Sequence, residues 1–345
     1  MRVLLAGIFR PGHLGATYQR AFAALDHEVI TFDLDTHRAK LDWWLRTKVG
    51  HRLTIGSYRA RRAGSSGFNQ ALQAMVTRAQ PDLVLAFNGE FLMPETVRKI
   101  RKCGTRFIIF HADNPLPPHY NSRPETLEAA RECDAFLVWS SSLVKKLCEL
   151  GIPAGFLAFG WDENVFPFQG FPEQKDYDVA FIGGWDRQRE QFLEGVAKHF
   201  NLKIWGPSYW GERTQRQGKA RGCWQGRAVS GVEASTIFSR TRINLNIFRE
   251  QHYVNGVADG VIMRTFEVPG AGGFQLATRS VDAITLFPEG EAAGYFSNLD
   301  QCLEQIDYYL SRQKRRMEMT RNAHATVDVG HHYTNRVNDL LAFTN

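Results

Sequence analysis

Residues Asp259–Ala277 read DGVIMRTFEVPGAGGFQLA, and this stretch decides the fold class. Helix-compatible residues from Arg264 onward lead into a glycine-rich turn, and the turn leads into Phe274–Ala277, a short apolar run that suits a buried strand. A helix, a tight turn and a buried strand in this order are typical of a parallel sheet wrapped by helices. The stretch therefore predicts an α/β fold.

The same pattern recurs along the rest of the chain. Short β-branched or aromatic runs alternate with amphipathic stretches of helical length, such as Thr17–Leu25, Gly67–Arg78, Pro94–Lys102, Glu125–Arg131 and Ser141–Leu150. The other predicted strands are Arg2–Ala6, Glu28–Phe32, Leu83–Phe87, Arg106–His111, Ala135–Trp139, Gly155–Leu157, Asp178–Ile182, Lys203–Trp205 and Ile243–Asn246.

The chain is long enough for two domains. Its 345 residues exceed the size at which one hydrophobic core usually stops growing. Residues 161–177 contain Pro167, Gly170 and Pro172 with several charges, as expected of a linker, and the strand pattern restarts at 178. We therefore predict one Rossmann-like domain over 1–160 and another over 178–325.

Composition limits the function classes further. The 42 Lys and Arg residues against 36 Asp and Glu give a net charge of +6, which fits a solvated surface better than a dedicated polyanion groove. No apolar run approaches the length of a membrane span, and the first residues resemble a buried strand rather than a secretory signal. Five scattered cysteines form no C-x-x-C pair, so we expect reduced thiols, no structural zinc and a cytoplasmic protein.

In open α/β sheets, ligands bind beyond the carboxyl ends of the strands. In the first half, His13 follows strand one beside Gly12 and is a candidate general base or substrate contact, with a structural turn as the alternative. Asp113 ends the fourth strand within His-Ala-Asp-Asn-Pro, where it either acts at the same sheet edge or caps a turn.

In the second half, Gly183 and Gly184 follow a strand and precede a helix, so their amides and the positive charge of Arg187 or Arg189 suit a diphosphate. Of the two arginines, Arg187 is the predicted contact. Glu267 suits the two vicinal hydroxyls of a ribose, and Arg264 suits the diphosphate. The turn that contains Gly272 and Gly273 would complete this crevice, although each motif also fits an ordinary turn.

The stretch Gly260–Thr278 resembles the donor motif of the CgeB-like (spore-maturation type) glycosyltransferases, which are related to the retaining group with E-x7-E signatures. Other pieces agree in order, including Asp113-Asn-Pro115, FIGGWDRQRE after the linker and the closing HHYTNR. The resemblance implies a GT-B fold, in which two Rossmann-like domains face each other and a C-terminal helix, here 326–345, packs back on the first domain.

The resemblance also implies roles for individual residues. Glu267 would bind the ribose, Arg264 with the Gly183-Gly184 turn would bind the diphosphate, and Asp259 would contact the sugar. The kinship with a retaining group slightly favours retention, which would also involve main-chain groups near Gly12. Asp259 stands where the family has Glu, with one methylene less reach, so inversion remains the alternative. No metal is expected, because helix dipoles and arginine can neutralise the leaving diphosphate.

The predicted function is sugar transfer from a nucleoside-diphosphate sugar, as hexosyl or pentosyl transfer, to a hydroxyl acceptor. The acceptor is expected to be a glycan, a protein or a small molecule, and a modified nucleic acid remains an alternative acceptor. The alternative is a non-catalytic nucleotide-sugar-binding module. A dinucleotide-dependent oxidoreductase would need a G-x-G-x-x-G motif after the first strand, and the chain lacks this motif. The Trp- and Arg-rich segment Arg38–Arg62 is a candidate acceptor-side insertion.

Overall fold

A computed structural model describes residues 1–37, 62–117, 123–215, 217–254 and 257–344. The described chain divides into two compact units, one of Met1–Ala158 with Arg336–Asn345 and one of Phe159–Asn335. Residues 38–61 of the predicted acceptor-side insertion lie outside the described residues.

The first unit is a parallel sheet covered by helices. Its six strands run in the order β2-β1-β3-β4-β5-β6, and every pair of neighbours is parallel. The strands are β1 (Arg2–Gly7), β2 (Glu28–Asp33), β3 (Leu83–Phe87), β4 (Arg106–His111), β5 (Ala135–Val138) and β6 (Ala154–Phe156). The described helices between them are α1 (Leu14–Ala24), α2 (Leu34–His37), α3 (Ser66–Ala79), α4 (Pro94–Lys102), α5 (Pro124–Glu132) and α6 (Ser141–Glu149).

Sequence explains why these strands are central. All residues of β3 and β5 are buried, which is the near-continuous apolar pattern of strands covered on both faces.

The helices α4 and α5 both begin with proline, whose fixed φ suits the first helical position and whose missing N–H costs nothing there. The chain therefore enters each helix sharply at the carboxyl edge of the sheet.

The second unit repeats this plan with a five-stranded sheet in the order β13-β12-β9-β7-β8. Its strands are β7 (Tyr177–Ile182), β8 (Leu202–Trp205), β9 (Thr241–Asn246), the short hairpin β10 (Tyr253–Val254) and β11 (Val257–Ala258), β12 (Gln275–Thr278) and β13 (Gly294–Phe296). Its helices are α7 (Arg187–Ala197), α8 (Tyr209–Arg213), α9 (Lys219–Cys223), α10 (Gly231–Ser239), α11 (Arg264–Gly270), α12 (Val281–Leu286), α13 (Leu299–Leu310) and α14 (Gln313–Gly330). A last helix, α15 (Tyr333–Leu341), ends in residues that belong to the first unit.

The α/β class and the two Rossmann-like sheets are confirmed, with the ends of the predicted strands within about two residues of those observed. The strands β10, β11 and β13 were not predicted, because runs of two or three residues carry no readable alternation. The helix α11 begins at Arg264, as predicted, and Glu267 is its fourth residue.

Candidate functional site

The second unit has a crevice at a defined place in its strand order. After β7 the chain goes to β8 on one side, and later returns to β9 on the other side of β7. Such a reversal leaves a gap beyond the carboxyl ends of the two strands, where ligands of open α/β sheets bind. Gly183 and Gly184 follow β7, and Ile247 to Arg249 follow β9, so these segments line the crevice.

Arg189 ties the two segments together. Its Nη1 donates to Gly184 O at 3.2 Å and its Nε donates to Ile247 O at 3.0 Å, so one guanidinium bridges the loops after β7 and β9. Burial lowers the pKa of Arg189 to about 9, Asp186 opposes this, and the charges of Arg249 and Arg264 lower it further. Three arginines therefore concentrate positive charge in the crevice, and Arg189 is still protonated at neutral pH.

Arg249 lies directly against Gly184. A Cβ built on Gly184 would overlap Arg249 Nη2, so only glycine leaves room for the guanidinium in this position. Among the described carboxylates, none forms an ion pair with Arg249. A half-buried arginine over a glycine turn is thus available to an anionic ligand.

The helix α7 starts at the same place. Its N-cap residue Asp186 accepts a hydrogen bond from Arg189 N at 2.9 Å, which satisfies one of the free amides of the first turn. Arg187, predicted to contact the diphosphate, is exposed at the first helical position, whereas Arg189 two residues later is buried in the crevice. The positive end of the helix dipole adds to the arginine charges.

Glu267 is buried, at 5% exposure, and forms an ion pair with Arg264. Burial raises the pKa of Glu267, the Arg264 charge opposes this, and Asp162 raises it further. The Arg264 guanidinium also lies 5.0 Å from the Phe238 ring centre and 6.0 Å from that of Phe166, which holds it in place. Arg264 and Glu267 thus present a fixed cation and carboxylate from one short helix.

Gly272 and Gly273 are buried and packed against the unit's own atoms. A Cβ on Gly273 would lie 2.8 Å from Phe238 O, and Gly272 has a φ of +87° that favours glycine. The tight turn from α11 into β12 is therefore a sufficient reason for glycine at both positions. A ligand contact at Gly272 or Gly273 stays a prediction.

Asp259 is buried at the end of the β10–β11 hairpin. Its N–H donates to His252 O at 2.9 Å, and the following Gly260 accepts from Ser280 Oγ at 2.6 Å. The backbone around Asp259 is therefore fixed, and its contact with the sugar stays a prediction.

His13 and Asp113 lie at the same edge of the first sheet. His13 lies in the loop after β1 and Asp113 in the loop after β4, with β3 between these strands, so the carboxyl ends of the two strands are two strand spacings, or about 10 Å, apart. His13 is exposed at the N-cap position of α1, directly after Gly12, whose φ is +81°. Both residues keep their candidate roles.

The turn at Asp113 contains a second titratable group, which the sequence reading passed over. His111 is the last residue of β4 and is buried, and its Nδ1 lies 2.9 Å from Asp113 O. Burial lowers the pKa of His111, opposed by its hydrogen bond to Asp113 and by the Asp113 charge. The sequence signal that could have identified His111 is its position at the carboxyl end of a predicted strand.

Within the described ranges, no three His, Cys, Asp or Glu side chains are grouped as a metal site. No described helix is both long and apolar enough to cross a membrane.

Residues 187–342 match the family model described as glycosyl transferase-like, and this range contains Arg189, Arg249, Arg264 and Glu267. No curated protein sequence matches the chain.

Solved structures resemble it over nearly its whole length. Sucrose-phosphate synthase from Thermosynechococcus elongatus has a TM-score of 0.69 at 10% identity, covering 100% of this chain and 98% of its own. A glycosyltransferase from Rickettsia africae has a TM-score of 0.65 at 12% identity, with 99% and 98% covered. Anabaena HepE, solved with UDP and glucose, has a TM-score of 0.65 at 11% identity, with 100% and 99% covered. The chain therefore has the GT-B fold, as predicted, and its residues 187–342 match a family model of glycosyl transferase-like sequences.

Proposed function

We propose that this protein is a glycosyltransferase that uses a nucleoside-diphosphate sugar, with the diphosphate held where the strand order reverses between β7 and β9. The observation that carries the proposal is the position of Arg249 against Gly184, beside the buried Arg189 and close to Arg264. Arg189 and Arg264 each have a carboxylate partner, but Arg249 has none among the described carboxylates. A bound diphosphate would supply the negative charge that balances these arginines.

The chemistry of the leaving group supports this placement. When the sugar is transferred, the bond between its anomeric carbon and the diphosphate oxygen breaks, and negative charge grows on that oxygen. Arg249, Arg264 and the start of α7 can stabilise this charge without reorganisation. These groups supply the role that a divalent cation has in other transferases, so we propose that the reaction needs no metal.

Glu267 is our proposed ribose ligand. Its carboxylate can accept hydrogen bonds from both vicinal hydroxyls, and its ion pair with Arg264 fixes the direction in which it points. Because Arg264 belongs to the same helix turn, ribose and diphosphate would be held by one rigid element.

For catalysis we propose His13, Asp113 and Asp259. A new bond forms between the acceptor oxygen and the anomeric carbon, and the acceptor's proton must leave. In inversion, His13 or Asp113 accepts that proton; in retention, the departing phosphate oxygen can accept it, while Asp259 and the backbone near Gly12 position the sugar. We also propose that the sugar is transferred with retention of its anomeric configuration and that the protein is related to the CgeB-like glycosyltransferases.

Transfer of hexosyl groups is the first reaction to test, because HepE was solved with UDP and glucose. All five cysteines are unpaired, which fits the reducing, cytoplasmic environment that we propose for the protein. A non-catalytic module would retain the arginines and Glu267, so turnover rather than binding separates it from an enzyme.

The test is release of nucleoside diphosphate from UDP-, GDP-, ADP- and dTDP-hexoses, using the wild type, Arg249→Gln and Arg312→Gln. Arg312 is a matched control because it is exposed and stacks on Tyr308, away from the crevice. We expect release from one nucleotide family by the wild type and Arg312→Gln, and at least about a tenfold loss in Arg249→Gln. Binding without release by any of the three would favour the non-catalytic module.

A further inference from the structure

The loop that carries Arg249 leaves the sheet after β9, and side chains take over the role of strand partners. The N–H of Phe248 donates to Thr278 Oγ1 at 3.2 Å, and the N–H of Arg249 donates to His252 Nδ1 at 3.1 Å. A backbone N–H that is shielded from water is costly to leave unpaired, so these two bonds set the path of the loop. The imidazole of His252 therefore holds the backbone from which the Arg249 guanidinium reaches Gly184.

His252 is joined to Arg249 by a second hydrogen bond. It ends a single 3₁₀ turn, Glu250–His252, in which its own N–H donates to Arg249 O at 2.9 Å. The side chain is buried, at 6% exposure, and the centre of its ring lies 5.4 Å from that of the buried Phe248 ring. The backbone of Arg249 is thus closed into a turn by the imidazole on one side and the peptide N–H on the other.

The backbone of His252 is anchored from the opposite side by the β10–β11 hairpin. Its carbonyl accepts from Asp259 N at 2.9 Å, one step beyond the pair formed by Tyr253 and Ala258. The next residue, Gly260, is held in turn by the hydroxyl of Ser280. This anchor involves only the backbone of His252, so a substitution of its side chain leaves the anchor in place and changes the contact with Arg249.

The direction of the hydrogen bond determines what a side chain at position 252 must provide. A backbone N–H can only donate, so Nδ1 of His252 accepts with its lone pair, and the proton of the neutral ring is on Nε2. Asparagine also offers an acceptor here, because its Oδ1 is as many bonds from the backbone as Nδ1 of histidine. Leucine has the same branched shape as asparagine and no acceptor.

We propose that His252 is a positioning residue of the donor site, an inference that rests on the proposed transferase function. Its Nδ1 fixes the backbone of Arg249 so that the guanidinium lies over the Gly184 turn, ready for the diphosphate. This role requires no contact between His252 and the donor. The effect of His252 on donor binding therefore passes through Arg249, which distinguishes it from a residue that only stabilises the fold.

The test is a double-mutant cycle, measured by calorimetry on the full-length protein with UDP, GDP, ADP and dTDP. His252→Leu removes the acceptor and His252→Asn keeps it. Both lack the imidazole, so the loss of ring packing affects both alike. Each substitution is made in the wild type and in the Arg249→Gln background. His199→Leu, at an exposed position, is the control for a lost histidine.

We expect His252→Leu to weaken binding of the nucleotide that the wild type prefers by about tenfold, and His252→Asn by less than about threefold. In the Arg249→Gln background, His252→Leu should have almost no further effect, because the group that it positions is already missing. The corresponding nucleoside lacks the diphosphate and should bind the wild type and His252→Leu equally.

Equal losses in His252→Leu and His252→Asn, or the same loss from His252→Leu with and without Arg249, would overturn the role of His252. Weaker binding of the nucleoside by His252→Leu would overturn it too, because the damage would then extend beyond the diphosphate. If His252→Leu does not fold, a loss of about tenfold in His252→Asn is sufficient to overturn it.

The proposed donor site fails by a different result. If no nucleotide binds the wild type, or if Arg249→Gln binds each nucleotide as tightly as the wild type does, the diphosphate site itself is wrong. If Arg249→Gln weakens binding and His252→Leu does not, the donor site stands and the assignment of His252 alone has failed.

Discussion

The guanidinium of Arg249 occupies the space that a side chain on Gly184 would fill. The two residues are 65 positions apart in the chain, but they follow β9 and β7, which are neighbours in the sheet. Their contact therefore exists only because the strand order reverses between these strands. It brings an arginine onto a glycine turn at the start of a helix, which is the arrangement on which the proposed donor site depends.

Replacing Gly184 with alanine should displace Arg249 without unfolding the protein, because the atom that the new methyl group meets is the end of a flexible side chain. We expect at least about a tenfold loss of nucleoside-diphosphate affinity by calorimetry, with the melting temperature almost unchanged. Gly222→Ala is the control, since a Cβ there meets no atom within 4 Å. Unchanged affinity in Gly184→Ala would show that the position of Arg249 is irrelevant.

Glu267→Gln should abolish donor binding and also change how stability depends on pH. Burial raises the pKa of Glu267 above its unfolded value of 4.5, so the folded state holds this proton more tightly. The contribution of Glu267 to the free energy of unfolding is present below the unfolded pKa and is lost as pH rises through the folded pKa.

Glutamine cannot titrate, so the wild type should lose stability relative to Glu267→Gln as pH rises from the unfolded pKa of 4.5 through the folded pKa. Denaturant titrations across this range measure the difference, and Glu173→Gln, at an exposed position, is the control. Parallel curves for the wild type and Glu267→Gln would contradict the assignment.

His13→Ala and Asp113→Asn should lower kcat by roughly a hundredfold if the residue replaced accepts or orients the acceptor's proton. Donor affinity should not change, because both residues belong to the first unit. The exposed His199→Ala serves as the matched control for a lost imidazole. Normal turnover in both variants would remove these residues from the mechanism.

Chelation should leave activity unchanged, because arginines and a helix start are proposed to neutralise the leaving diphosphate. Initial rates with EDTA, and after adding back Mg²⁺ or Mn²⁺, check this. Activity that disappears with EDTA and returns with either cation would contradict the metal-independent proposal.

Local pattern was enough to predict the α/β class and every strand except β10, β11 and β13, and it singled out Glu267, which proves to be buried. Arg249 was missed, because it sits three residues beyond a strand in a loop without glycine, and its approach to Gly184 follows from a strand order that local patterns do not contain. The choice between Arg187 and Arg189 depended on which face of α7 turns inward, which the cap at Asp186 determines.

The conformation of Phe91 was beyond sequence reasoning for a similar reason. Nothing local predicts a positive φ at Phe91, since Asn69, which lies on α3, holds this turn by donating to Phe91 O and accepting from Met93 N. The helix α3 and the turn at Phe91 are separate in the chain and adjacent only in the folded unit.

The most direct test of the donor site is a thermal-shift comparison of the wild type and Arg249→Gln with UDP, GDP, ADP and dTDP. At a hundred times its dissociation constant, a bound nucleotide should stabilise the wild type by about 2.7 kcal/mol. We predict that one nucleotide stabilises the wild type in this way and that Arg249→Gln loses most of the shift. Equal shifts in both proteins would contradict a diphosphate site between β7 and β9.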